Sequence, residues 1–148
     1  MAPGNTGKAR WPANKCAAID TLPPFRAMTE VMPLIQIFTS APEPVAPGKD
    51  ALLADLSRLL SQAFQKPERW SMTCFVPNLS MTLGGESTPC CFVAVRNVGT
   101  MTPEQTTNLS SEICERVSAA LAVPPARIYI EFGDVQNYLW GWNGQTFA

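Results

Sequence analysis

Two apolar stripes recur along the chain with a step of three to four residues, and proline stops each of them. In "DALLADLSRLLSQAF", Leu52, Leu53, Leu56, Leu59, Leu60 and Phe64 fall on one side of a helix that Lys66 and Pro67 end. Leu109, Ile113, Val117 and Leu121 form the second stripe, ended by Pro124 and Pro125. Thr102, Pro103 and Gln105 ahead of it have the form of an N-cap, a first-turn proline and a capping-box partner. Four strand-like runs surround these helices: "PLIQIF", "RWSMTCFV", "CCFVAVRNV" and "RIYIEF". The last alternates cleanly, with Ile128, Ile130 and Phe132 on one side and Arg127, Tyr129 and Glu131 on the other. A proline-studded loop, "APEPVAPGK", and turn chemistry in "TLGGES" separate the runs.

The resulting order is β-α-β-β-α-β. "KPERWSMT" and "PPARIYIE" each place an arginine two residues after a proline, at the same point after a helix, which suggests duplicated β-α-β units. The expected fold is α/β in the α+β sense, a four-stranded mixed sheet with two helices on one face. Two helices leave the other face uncovered. The second and third strands nevertheless carry large apolar groups in both alternating sets, Trp70 and Met72 against Phe75, and Phe92 against Val93 and Val95. Burial of that second face by other subunits is the expectation. The aromatic tail "NYLWGWNGQTFA" is expected to dock on a neighbour as well.

At 148 residues, the chain has the size of one ordinary domain. Residues 1–31 are rich in proline, glycine and alanine without periodicity and read as a disordered extension, so the folded domain is expected over 32–148. With a formal charge of -1 and its charges interspersed, the chain has no basic face for nucleic acid. No run is apolar enough for a membrane span or a secretory signal, which points to the cytoplasm. Cys16, Cys74, Cys90, Cys91 and Cys114 are odd in number and lack paired C-x-x-C spacing, against a disulfide framework or zinc site. The chain contains no histidine, so an acid-base catalyst here needs a perturbed carboxylate, lysine, cysteine or chain amine.

"MPLIQIFTSAP", "KPERW", "MTLGGESTPC", "RIYIEFGD" and "GWNGQTFA", in this order, resemble the macrophage migration inhibitory factor family of the tautomerase superfamily. The likeness runs from Pro33 to Ala148. It implies a homotrimer of β-α-β-β-α-β subunits with a site at each subunit boundary. It also implies keto-enol tautomerase activity on small phenylpyruvate-type and dopachrome-type substrates, without a cofactor, through an N-terminal proline exposed by loss of methionine. Pro33 matches that catalytic proline. Lys66 matches the lysine that holds the substrate acid, Val98 the apolar residue whose backbone contacts substrate, and Tyr129 the tyrosine supplied by the adjacent subunit. Glu131 stands where vertebrate members have an asparagine near the substrate. A carboxylate there repels an anionic substrate or favours a protonated proline, implying weaker activity or a different substrate. Val93 replaces the second cysteine of the vertebrate C-x-x-C, which removes thiol-disulfide chemistry by that motif.

The chemistry is coherent on its own terms. An ordinary chain-terminal amine has a pKa of about 7.7–8.0 against about 10.4 for lysine, so the terminal amine is the better base near neutrality. Proline's secondary amine is intrinsically more basic and needs an apolar, cation-bearing pocket to stay neutral, and Lys66 is the candidate cation. Each residue also has a plain structural role open to it: Pro33 as a strand start, Lys66 as a helix-end cation, Tyr129 as an interface aromatic, and Gly84 and Gly85 as turn formers. Met32 is then the expected functional start, with residues 1–31 an upstream extension or a segment removed later, and a targeting peptide as the alternative. A non-catalytic, cytokine-like interaction protein with a vestigial site is the rival function. A cell-surface receptor partner stays open, because family members leave cells without a signal peptide.

Overall fold

The computed structural model describes residues 32–147; the extension expected at 1–31 lies outside them. Strand β1 (Leu34–Thr39) leads into helix α1 (Gly48–Phe64) and strand β2 (Met72–Val76). Strand β3 (Cys91–Val98), helix α2 (Pro103–Leu121) and strand β4 (Ile128–Val135) repeat that path. The sheet order is β2-β1-β3-β4, with β1 and β2 parallel, β3 and β4 parallel, and β1 antiparallel to β3. The expected duplicated mixed sheet is therefore present.

One apolar layer holds the two helices to the sheet. Leu52, Leu56, Leu60 and Phe64 of α1 meet Leu109, Ile113, Val117 and Leu121 of α2 over Ile35, Ile37, Val93 and Val95. Leu53 and Leu59 flank the stripe of α1 and are only partly buried. The helix starts differ: Thr102 and Gln105 close a complete capping box on α2, whereas Pro47 before α1 supplies no side-chain cap.

Each helix ends in the same way. Gln65 and Ala122 adopt the left-handed conformation, Pro67 and Pro124 follow, and a single 3-10 turn leads into the parallel strand. These turns, Glu68–Trp70 and Pro125–Arg127, take in Arg69, Trp70 and Arg127, residues expected to be strand, because the fixed proline φ starts a turn that the aromatic content of "RWSM" conceals. Arg127 consequently leaves the outer strand face. Its guanidinium donates to the carbonyls of Leu83, Glu86, Thr88 and Pro89 and pins the turn between β2 and β3.

The tail folds back on its own chain. A short 3-10 turn (Asn137–Leu139) leads into strands β5 (Gly141–Trp142) and β6 (Gln145–Thr146), which form a hairpin. Trp142 packs edge-on against Trp70 of the same chain, with ring centroids 5.3 Å apart. Tyr138 and Leu139 stay exposed, as do Met72 and Tyr129 on the strands.

Candidate functional site

A strand-helix-strand unit with parallel strands returns its helix to the end where the first strand began. Pro33, the end of α1 and the start of β2 therefore share one end of the sheet. Since β3 runs antiparallel to β1, Asn97 and Val98 finish there as well.

Pro33 is buried, and its carbonyl accepts from the Met72 N–H at 2.9 Å, so its backbone faces β2. Leu34 is registered with Met72 on one side and Arg96 on the other. One step outward along both ladders sets Pro33 between Ser71 and Asn97. By strand alternation these three residues lie on the helix side, in line with the core residues Ile35, Phe75 and Val95.

Lys66 follows the left-handed Gln65, and its N–H donates to Ser61 O at 2.9 Å. Its side chain is half-buried and joins no ion pair with any described residue. Val98 ends β3 at 1% exposure, in register with Val135. Gly99 follows with φ 110, a conformation that suits glycine, and its N–H donates to Val135 O at 3.0 Å. Trp70, in the turn that leads into β2, is braced by Trp142 and has the Arg69 guanidinium 5.4 Å from its ring centre.

Pro33, Lys66 and Val98 thus share one end of the sheet in a single chain. Tyr129 and Glu131 do not join them. Tyr129 is registered with Phe92, roughly 17 Å along β3 from Asn97 at about 3.3 Å per residue. It is 62% exposed. Glu131 lies on the outer sheet face, its Oε1 3.7 Å from Arg96 Nη2.

Sequence reasoning passed over Ser71 and Asn97. Ser71 Oγ and Asn97 Oδ1 are buried and have no hydrogen-bond partner among the described residues, and Asn97 is only 5% exposed. The available signal was alternation, since Asn97 continues the inward set of Val93 and Val95 with a polar residue.

Cys91 offers no competing centre. Burial, then the neighbouring Cys90, pushes the Cys91 thiol up to about 12, which keeps it protonated and unreactive near neutrality. Val93, at the position of the missing second cysteine, is a fully buried core residue. Among the described residues no cluster of His, Cys, Asp or Glu could hold a metal ion.

A family model described as "Macrophage migration inhibitory factor (MIF)" matches residues 32–148. The chain is 33% identical to macrophage migration inhibitory factor of Rattus norvegicus over 79% of its own length and 100% of the relative's. A macrophage migration inhibitory factor homolog of Brugia malayi is 27% identical over the same shares. Among solved structures, a macrophage migration inhibitory factor homologue from Prochlorococcus marinus superposes with a TM-score of 0.73 at 39% identity, covering 78% of this chain and 99% of that one.

Proposed function

Because the chain belongs to the macrophage migration inhibitory factor family, we propose that it is a keto-enol tautomerase whose base is the Pro33 nitrogen, freed by cleavage of the Met32–Pro33 bond. The observation that supports this reading is that Pro33, Lys66 and Val98 share one sheet end, on a chain without histidine. Within a peptide bond the proline nitrogen is a tertiary amide without a usable lone pair. As a free, neutral amine it can remove a proton from the carbon beside the substrate carbonyl. Returning that proton to the carbonyl oxygen completes the enol, and the reverse path restores the ketone.

In this reading Lys66, half-buried and in no ion pair with a described residue, binds the carboxylate of a phenylpyruvate-type substrate, and its charge disfavours protonation of Pro33. Tyr129 and Glu131, distant in one chain, reach the site from a neighbouring subunit of a homotrimer in this reading. The exposed Met72 and Tyr129 supply apolar surface for that contact.

The test compares protein beginning at Pro33 with the full chain in a phenylpyruvate tautomerisation assay. The processed form should be faster by at least about 100-fold, the usual contribution of a positioned base. Equal rates would exclude Pro33 as the base. The relatives' names favour a second reading, a non-catalytic interaction protein. Rates no greater than buffer for both forms would decide for it.

A further inference from the structure

Both buried side-chain oxygens left without a partner among the described residues flank Pro33, Ser71 Oγ from β2 and Asn97 Oδ1 from β3. Such orphans are rare in folded proteins, and each calls for a donor. Pro33 faces β2 through its carbonyl, and its nitrogen is an atom of the ring that lies on the helix side between the Ser71 and Asn97 side chains. While Met32 is attached, the Pro33 nitrogen carries no hydrogen. Cleavage gives it one N–H as a neutral amine and two as an ammonium.

We propose that Asn97 Oδ1, assisted by Ser71 Oγ, accepts the hydrogen that Pro33 gains on processing and thereby positions the amine. The matching row of the second half shows that the fold does not require orphaned oxygens. There Cys91 lies between Ile128 and Thr39, as Pro33 lies between Ser71 and Asn97. Ile128 is apolar and buried, while Thr39 Oγ1 donates to Cys90 O at 2.9 Å and accepts from Ala41 N–H at 3.0 Å. Every polar side-chain atom in that row's oxygen set is satisfied. Among the described residues the unsatisfied oxygens occur only at the end that carries the proline.

An acceptor favours the protonated amine, so Asn97 and Lys66 act on Pro33 in opposite directions. The other charged groups around this sheet end are Glu68 and Arg69 in the turn before β2, Arg96 on the far face of β3, and Asp134, which is registered with Asn97 and accepts from Met101 N–H at 3.0 Å. The variants below leave all of them in place.

This inference rests on Pro33 being freed, and a direct titration of its amine tests it independently of catalysis. The domain from residue 32 onward corresponds to the entire length of its relatives, so protein beginning at Pro33 is the form to titrate. Carbon-13 proline labelling follows the Pro33 ring carbons by NMR against pH, with the full chain as the non-titrating control. Asn97→Leu should lower the midpoint by about 1 unit, from the usual strength of a hydrogen bond to a charged group. Ser71→Ala should lower it less, and it serves if Asn97→Leu does not fold. Asn97→Asp should raise it, a reversal that general loosening of the structure would not produce. Unchanged midpoints in the Leu and Ala variants, or shifts of the same sign in Asn97→Leu and Asn97→Asp, would overturn the inference. Predicted shifts without tautomerase activity would sink the catalytic reading alone. Activity with unmoved midpoints would sink this one alone.

Discussion

The two β-α-β halves share strand direction, helix-ending conformation and the 3-10 turn that follows, yet their equivalent positions carry opposite chemistry. After the left-handed cap, the first half has the half-exposed Lys66, where the second has Val123, fully buried in the core. One turn later, Ser71 with its orphaned hydroxyl corresponds to the buried Ile128. Trp70, braced by the tail, corresponds to Arg127, which pins a loop. The second half shows what packing asks of these positions. Polar groups in the first half are thus a departure from packing, and a departure concentrated around one residue is what a site looks like.

Exchanging the equivalent residues gives the largest expected effect. Val123→Lys should lower the unfolding free energy by about 3–5 kcal/mol, because it buries a charge without a partner. Lys66→Val should change stability by less than about 0.5 kcal/mol in the same urea titrations, since the position is half-exposed and in no ion pair with a described residue. It should also raise KM for phenylpyruvate by roughly 10-fold if Lys66 holds the carboxylate. Equal stability losses in the two exchanges would show that Lys66 is a structural residue like its counterpart.

Periodicity made the helices legible, because a stripe such as Leu109, Ile113, Val117 and Leu121 has no other use than to face a core. The capping box at Thr102 was legible for a similar reason: its local geometry depends only on spacing. Long-range partnership was not. Arg127 read as an outer strand residue because nothing in "RIYIEF" reveals that four carbonyls of a distant loop await its guanidinium. Trp142 read as surface for a neighbour because its partner, Trp70, is remote in sequence. Pro33, Lys66 and Val98 were named through family likeness, whereas their place at one sheet end follows from strand direction. Ser71 and Asn97 matter only through the register that flanks Pro33 with them, which no single strand displays.

Cys91 occupies in the second half the place of Pro33 in the first, and it sharpens the contrast through pH. Its thiol is pushed up to about 12 in the folded chain, mainly by burial, against about 8.5 in an unfolded one. Below the unfolded value both states hold the proton, and the stabilisation is complete. As pH rises from about 8.5 towards 12, the unfolded chain loses its proton first, so stability should fall by about 1.4 kcal/mol per unit. Denaturant midpoints measured between pH 8 and 10.5 should show this decline, and Cys91→Ala should flatten it. A decline unaltered in Cys91→Ala would assign the effect to other groups.

The helix starts give a smaller contrast. Thr102→Ala removes the side-chain oxygen that accepts from Gln105 N–H at 3.2 Å and should cost about 1 kcal/mol. Ser and Asp at the same position should restore most of it. Because α1 begins at Pro47 without a side-chain cap, early amide exchange should already be faster over its first turn than over that of α2, and Thr102→Ala should erase the difference. Equal protection in the wild-type protein would mean that tertiary packing, not capping, holds both starts.

Glu131 should give the smallest effect on stability and the one most specific to assembly. Its contact with Arg96 spans 3.7 Å between side chains about half exposed, a geometry that contributes little in water. Glu131→Gln should therefore shift the unfolding free energy by no more than about 0.5 kcal/mol. Arg96 lies beside β1 at the Pro33 end, while Glu131 reaches it from β4, so Glu131→Gln also frees a cation on the outer face. If that face closes a neighbouring subunit's site, loss of the carboxylate should lower KM for an anionic phenylpyruvate-type substrate, by roughly 2-fold to 5-fold for a solvent-screened charge. A neutral ester of the same substrate should show no such gain. An equal gain for acid and ester would remove the electrostatic role from Glu131, and no change for either would place it outside the site, leaving Lys66 as the group that governs the substrate's charge.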